Sequence, residues 1–293
     1  MAIDIASSLK SPKVSDGAWG TQLDKLGCPP GYCREEWNVS HPELVGKVAA
    51  SYVQAGSDVI LTNTFSANAF TLDRHGMAAK VEAFNRAGAE ISRRAAGKSA
   101  WVFGSMGPSG KMLVAEEVTE DELYKAYFAQ AKALAAGGVD AILCETFTEL
   151  QEVLTAARAA KDATGLPVVA SLTYDTGPDH MRTMMGVAAG DAAEALTKAG
   201  VDVIGCNCGV GIDAYVKVAR RLREHTDRPI WVKPNAGLPE VHGDKVIYKE
   251  GPEEFAAKAH LLLEAGANFV GGCCGTTPEH VRNLAAAIKR RRG

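Results

Sequence analysis

Short apolar runs recur eight times along the chain, each followed by a turn and then by a stretch of helical periodicity. The runs begin near Val14, Asp58, Ala100, Asp140, Pro167, Asp202, Pro229 and Asn268. They are rich in β-branched residues and lack a polar/apolar alternation, the pattern of strands buried on both faces. The stretches between them predict helices. His41–Ala55 places Leu44, Val45, Val48, Ala49 and Tyr52 on one face and stops at Gly56. Thr119 is placed to cap a helix over Glu120–Ala136, which ends at Gly137-Gly138. Further helices are predicted over Thr148–Thr164, before Gly165, and Asp191–Ala199, before Gly200. A helix–Gly–x–Asp/Asn–strand phrase repeats as AGSDVI, GGVDAI, AGVDVI and AGANFV. This is self-similarity at one βα unit per repeat. Eight units in 293 residues allow about 37 residues each, enough for a strand, a crossover helix and the return. The expected fold is α/β, a (β/α)8 TIM barrel formed as one unit over residues 1–293. An open doubly wound sheet is the alternative; it would show fewer strands and a phosphate fingerprint after the first.

Composition narrows the function. With 46% hydrophobic and 23% charged residues, the chain has the make-up of a folded domain. A net charge of −3 without a long basic run speaks against nucleic acid as the partner. No stretch approaches the ~18 apolar residues of a membrane span. The N-terminal residues lack the apolar core of a signal peptide, so a cytoplasmic protein is expected. Oligomeric state, monomer or homo-oligomer, is not readable from the sequence.

The cysteines carry more information. There are seven, an odd number in a long chain, which is no disulfide framework. In the barrel reading, the strand ends bring Asp16-Gly17, Thr62–Thr64, Glu145-Thr146, Asn207-Cys208, Pro234-Asn235 and Cys273-Cys274 to the C-terminal face, where barrel enzymes build their sites. Strands six and eight are separated only by strand seven, so Cys208, Cys273 and Cys274 can converge there. Three thiolates at ~2.3 Å suit a tetrahedral Zn²⁺ with one open position. Packing is the competing explanation, because free cysteines are commonly buried as small hydrophobes. Spacing alone does not separate the two. Cys206 shares the side-chain face of Cys208 one layer lower, as a core thiol or a substitute ligand. Cys28, Cys33 and Cys144 read as structural.

Other motifs are weaker. Gly104–Met112 resembles a phosphate-binding loop but has Ser105 and Met112 where glycine and a hydroxyl residue are required. Gly209-x-Gly211-x-x-Ala214 is a partial dinucleotide signal on the sixth unit rather than the first. His41 and His280 read as helix-flanking residues. Two long loops, one holding Cys28-Pro29-Pro30-Gly31 and one spanning Tyr174–Gly190, are placed to cover the barrel mouth.

Seven segments, in order over nearly the whole chain, resemble the homocysteine S-methyltransferase family. They are DGAWGTQL (Asp16–Leu23), LTNTFSAN (Leu61–Asn68), GPSG (Gly107–Gly110), ETF (Glu145–Phe147), GCNCG (Gly205–Gly209), KPNAGLP (Lys233–Pro239) and GGCCGTTPEH (Gly271–His280). The resemblance implies a (β/α)8 barrel whose Zn²⁺ is held by Cys208, Cys273 and Cys274, with homocysteine as methyl acceptor and methionine as product. It implies that Asp16 and Glu145 hold the substrate ammonium. It places the backbone N–H groups near Gly17 and Thr146 by the substrate carboxylate, and has Asn235 order the loop beside the metal. A small methyl donor, betaine-like or sulfonium, is the first expectation. A corrinoid protein acting in trans is the second, since 293 residues leave no room for corrinoid and folate modules. The aromatic cage of animal betaine enzymes is not matched here, with Ser66 and Thr146 at corresponding positions. Trp19, Trp37 and Tyr174 are the aromatic residues available to replace it.

Overall fold

The computed structural model describes Ile5, Leu9, residues 11–242 and residues 245–292. Eight parallel strands form the barrel: β1 (Lys13–Val14), β2 (Val59–Leu61), β3 (Trp101–Met106), β4 (Ala141–Phe147), β5 (Val168–Leu172), β6 (Val203–Asn207), β7 (Ile230–Lys233) and, after an inserted hairpin, β10 (Ala267–Val270). Their order is β1-β10-β7-β6-β5-β4-β3-β2, and a parallel Ser15–Val59 bridge joins the two ends, closing the ring. The hairpin is β8 (Pro239–His242) paired antiparallel with β9 (Lys245–Tyr248). The repeat pattern of the sequence does not predict it, because it falls inside the seventh βα connection.

Eleven helices are described: α1 (Gly20–Lys25), α2 (Trp37–Ser40), α3 (Pro42–Ala55), α4 (Ala69–Asp73), α5 (Val81–Ala96), α6 (Glu120–Ala136), α7 (Leu150–Thr164), α8 (Ala189–Lys198), α9 (Ile212–His225), α10 (Pro252–Glu264) and α11 (Pro278–Arg292). Helices α3 and α5–α11 each follow one barrel strand and make the outer ring. The predicted stops hold: Gly56 and Gly165 adopt left-handed φ values of 98° and 65° after α3 and α7. Thr119 accepts from Glu122 N, and Glu122 returns a bond to Thr119 N, a full capping box on α6.

The repeated Asp/Asn of the strand entries has a register role. The side chains of Asp58, Asp140, Asp202 and Asn268 accept from the backbone N–H of Val14, Val102, Val168 and Ile230, at 2.8, 2.7, 2.8 and 2.9 Å. Each pins the foot of its own strand to the preceding neighbour in the ring. Asp58, Asp140 and Asp202 lie just before their strands, which is why the strands predicted there begin early, whereas Asn268 is the second residue of β10.

Alternate residues then separate two layers. Leu61, Phe103, Leu143, Val169, Val203, Trp231 and Phe269 fill the barrel interior. There Trp231 stacks on Phe103 and packs at a tilt on Phe269, with ring centroids 5.8 and 5.4 Å away. Ile60, Val102, Ile142, Ala170, Ile204 and Val232 face outward into the helix ring. The barrel is a packed core beneath its mouth, so its chemistry is confined to the C-terminal face.

Candidate metal centre and substrate pocket

The C-terminal ends of β6, β7 and β10 are zipped together by backbone hydrogen bonds beyond the sheet itself. Cys208 N donates to Lys233 O, Cys273 N to Pro234 O and Gly272 N to Asp16 O, at 3.0, 2.7 and 3.0 Å. Asn235 Oδ1 accepts from Cys274 N at 3.0 Å, and Ala236 N donates to Cys274 O at 3.0 Å. Asn235 thus orders the loop that carries the adjacent cysteines. Thr276 Oγ1 donates to Cys273 O and accepts from Ala18 N, tying the same loop to the end of β1.

This bracing brings Cys208, Cys273 and Cys274 together, with every pair of Sγ atoms within 4.8 Å. Cys208 and Cys274 are 3.8 Å apart. Four ligands at ~2.3 Å around a tetrahedral ion lie about 3.8 Å from one another, so the spacing fits a thiolate-bound zinc-like ion. All seven cysteines are free; Cys28, Cys33, Cys144 and Cys206 are buried away from this cluster. Cys206 is fully buried beneath it and serves the core.

The three thiols behave as one acid. Hydrogen bonds from Cys208 and Cys273 hold Cys274 down to about 3. Hydrogen bonding to Cys208, then to Cys274, together with burial raises Cys273 well above an ordinary thiol. For Cys208 the bond to Cys273 lowers the pKa, but the bond to Cys274 and burial outweigh it and push it up to about 12. One proton therefore leaves readily and the next two resist, until a cation shares their charge.

Backbone strain gathers at the same place. Cys208 and Thr146 adopt left-handed conformations with φ of 64° and 66°, unusual for residues with a Cβ. Gly209 follows Cys208 with φ 64°, where a Cβ would come within 2.9 Å of Thr173. Thr146 is held by Asn207. Asn207 Oδ1 accepts from Thr146 N at 2.9 Å and from Ser171 Oγ at 2.6 Å, and Nδ2 donates to Thr146 Oγ1 at 2.7 Å. Nδ2 also points to Cys273 Sγ at 4.0 Å. The Thr146 N–H expected to face a substrate carboxylate is thus already given to Asn207. Gly17 lies close under Tyr52 and Thr276, where a Cβ would sit 2.9 Å from both.

The acidic pair is unequal. Asp16 is completely buried: Oδ2 accepts from Trp19 Nε1 and Leu61 N at 2.7 and 2.8 Å, and Oδ1 takes an ion pair with Lys233 Nζ at 2.6 Å. Glu145 keeps 7% of its surface exposed at the mouth and accepts from Ser105 Oγ through Oε1. Burial raises its pKa, opposed by the Lys233 charge and the Ser105 bond. Lys233 is itself buried; burial lowers its pKa, but the charges of Asp16 and Glu145 outweigh that and raise it.

Sequence reasoning missed Lys233, Asn207 and Tyr248. Lys233 and Asn207 sit in the quoted KPNAGLP and GCNCG segments, but nothing in the spacing shows where their side chains point. Tyr248, at the end of the hairpin, packs against Gly275, where a Cβ would be 2.3 Å from its ring, and its hydroxyl bonds Cys274. The substitute aromatic residues also resolve. Tyr174 is fully buried, Trp37 is buried and stacked on His41, and Trp19 is half-buried and tied to Asp16. Ser109, in the failed phosphate loop, donates through N and Oγ to buried Glu152. His280 is held between Thr277 and Glu250 O.

The chain is 35% identical over 296 aligned residues to the methionine synthase of Mycobacterium leprae, covering 94% of this chain and 24% of that protein. The Mycobacterium tuberculosis methionine synthase is also 35% identical, with the same coverage. The chain therefore spans about a quarter of the length of these relatives. In three dimensions it is similar to the metallated form of the Escherichia coli homocysteine methyltransferase MmuM, with a TM-score of 0.80 and 23% identity over 96% of this chain and 98% of that one. A sequence profile of the homocysteine S-methyltransferases matches residues 13–288, all eight strands included, and the chain belongs to that family of methyl-transferring enzymes.

Proposed function

We propose that this chain methylates homocysteine to methionine with a zinc ion held by Cys208, Cys273 and Cys274, residues 1–293 acting as one barrel unit. The observation that carries the reading is the convergence of three thiols at the mouth of a closed barrel, every pair of Sγ atoms within 4.8 Å and one pair at 3.8 Å, the edge length of a tetrahedral zinc–thiolate site. When bound there, Zn²⁺ supplies the Lewis acidity that keeps a substrate thiol deprotonated near neutral pH, where a free thiol with pKa ~8.5 is mostly protonated. Glu145 holds the substrate ammonium at the mouth. Asn207, through Thr146 and Cys273, and Asn235, through Cys274, fix the thiol donors so that the substrate sulfur meets its methyl donor in line. The substrate sulfur forms a bond to the methyl carbon as the bond from that carbon to the onium nitrogen or sulfur breaks. The electron pair stays on the departing nitrogen or sulfur, which loses its formal positive charge.

The donor in this reading is a small onium compound, betaine-like or sulfonium. A second reading, a methylated corrinoid protein acting in trans, is favoured by one observation. Large apolar side chains are exposed on loops that follow the strands, among them Leu26, Phe65, Met112, Val114, Met184 and Leu238. No helix among the described residues is long and apolar enough to cross a membrane, in keeping with the cytoplasmic setting this reading assumes. The test is methionine formation from homocysteine with glycine betaine, S-methylmethionine, dimethylsulfoniopropionate, free methylcobalamin or a methylcorrinoid protein. Turnover with an onium donor supports the first reading and turnover only with the corrinoid protein the second. No methionine from any of them refutes both.

A further inference from the structure

Burial does not protect the three clustered thiols. Cys28, Cys33, Cys144 and Cys206 are buried, whereas Cys208, Cys273 and Cys274 are each partly exposed. In the reading above, homocysteine adds a further thiolate beside them. A methyl donor at the mouth then meets several sulfurs of one chemical kind, and only the substrate's is to be methylated. A methylated cysteine is a neutral thioether, a weak acceptor, so each misdirected transfer removes a metal ligand.

Each of the chain's own sulfurs accepts a hydrogen bond from outside the cluster. Gly209 N donates to Cys208 Sγ. Asn207 Nδ2 points to Cys273 Sγ at 4.0 Å. The Tyr248 hydroxyl donates to Cys274 Sγ. This last donor is delivered by the inserted hairpin, in which Tyr248 pairs with Pro239. The neck of the hairpin closes where Glu250 N donates to Ala236 O at 3.2 Å, and Ala236 N donates to Cys274 O at 3.0 Å. The root of the hairpin is therefore tied to the cysteine that its tyrosine meets. Gly275 adopts φ 82°, and a Cβ there would lie 2.3 Å from the Tyr248 ring. A glycine at this position is what lets the ring seat beside Cys274.

We propose that Tyr248 is a positioning residue that acts through Cys274: its hydroxyl, held on that sulfur, draws electron density from it and steers the methyl group to the substrate sulfur instead. A hydrogen bond to an ionised acceptor is strong, and most of it is lost when the thiolate becomes a thioether, so it raises the barrier to methylation at Cys274. The nucleophilicity of a thiolate falls with its basicity in the same sense. The inference rests on the zinc and homocysteine reading and concerns which sulfur reacts.

The probe is methyl iodide, applied to the zinc-loaded protein without homocysteine. A cysteine thiolate bonds the methyl carbon as the carbon–iodine bond breaks, and iodide leaves with the electron pair. Peptide mass spectrometry with fragmentation measures methylation at Cys208 and Cys274 separately. Tyr248→Phe keeps the ring against Gly275 and removes only the hydroxyl. The Cys274-to-Cys208 methylation ratio is expected to rise about tenfold in this variant, the size of one charged hydrogen bond, with zinc per chain unchanged. A merely structural role would alter both sulfurs alike and leave the ratio where it was. A ratio within about twofold of the parent overturns the proposal. Loss of zinc from Tyr248→Phe also overturns it, because the tyrosine would then support the metal site rather than steer the methyl group. Zinc content and homocysteine methylation in the unaltered enzyme test the underlying reading by themselves, so its failure is told apart from an unchanged ratio in zinc-loaded protein.

Discussion

Asn207 offers the sharpest test of how the thiol cluster is held. Its side chain is completely buried and makes three strong bonds: Thr146 N and Ser171 Oγ onto Oδ1 at 2.9 and 2.6 Å, and Nδ2 onto Thr146 Oγ1 at 2.7 Å. Asn207→Ala leaves the Thr146 amide and the Ser171 hydroxyl without a partner in a dry site, at about 1–3 kcal/mol each. It also removes what keeps Thr146 at φ 66°, a conformation that persists only when its surroundings impose it. The expected loss is about 2–5 kcal/mol, read as a lower urea midpoint at unchanged slope. Asn207→Asp keeps the acceptor for Thr146 N and Ser171 Oγ but replaces the donor to Thr146 Oγ1 with a carboxylate 4.0 Å or so from the Cys273 sulfur. That variant should retain most of the stability while weakening activity, because a negative charge now faces the thiolate cluster. If Asn207→Ala unfolds within about 0.5 kcal/mol of the parent, the hydrogen bonds around Asn207 do not carry the load assigned to them here.

Other outcomes follow from the same geometry. Cys273→Ser should reduce zinc in the purified protein from about one equivalent to a small fraction, while Cys206→Ala should keep it, with zinc measured by elemental analysis; equal zinc in both would remove Cys273 from the ligand set. In chelator-treated protein, iodoacetamide should alkylate one thiol of the Cys208, Cys273 and Cys274 cluster faster at about pH 6 than it alkylates an ordinary free thiol, because hydrogen bonds within the cluster lower the pKa of one member; a rate no faster than that of a free thiol would refute the reasoning. KM for homocysteine should climb as pH falls through the Glu145 pKa, and burial lifts that pKa, so the climb should begin at higher pH than for a solvated carboxylate; a flat acidic limb counts against Glu145 as the ammonium acceptor. Thr119→Ala should cost about 1 kcal/mol through loss of the α6 cap, with zinc content unchanged, and a denaturation curve matching the parent would show that the cap contributes nothing.

The barrel was legible because its two periodicities are separate in the sequence. Strand segments such as Val59–Leu61 and Ala141–Cys144 are apolar on both faces, and helices such as Glu120–Ala136 open on a capping threonine and close on glycine. The repeated Asp/Asn marked four of the eight strand entries, although its bond to the neighbouring strand's N–H needs coordinates to be seen. The thiol cluster was half legible. Topology brings the ends of β6 and β10 to either side of β7, but packing could have used the same cysteines. What spacing cannot give is the direction of a side chain that leaves the strand end. Lys233 follows Val232, which faces outward, so alternation puts it on the inner face; that it reaches Asp16 rather than solvent depends on the floor being closed by Trp231. The hairpin that brings Tyr248 to Cys274 was hidden because it interrupts a βα unit without changing the repeat around it.

These two kinds of information divide the chemistry between donor and acceptor. The acceptor end is set by buried groups with fixed partners: Cys274 on Asn235, Cys273 beside Asn207, and Asp16 on Lys233. Substituting any of them disturbs a satisfied network, so this half of the site tolerates little change. The donor end is set by the loops above, where Phe65, Met112, Met184 and Leu238 stand exposed and make no comparable network. Specificity for a methyl donor can therefore change through those loops while the thiol cluster stays as it is. Exchanging Met184 and Leu238 together for serine separates the halves. Each removes apolar surface that is more than half exposed, so stability should stay within about 0.5 kcal/mol of the parent. Zinc content and KM for homocysteine should be unchanged, and KM for the methyl donor should move. A shift in homocysteine KM with none in donor KM would place the division elsewhere.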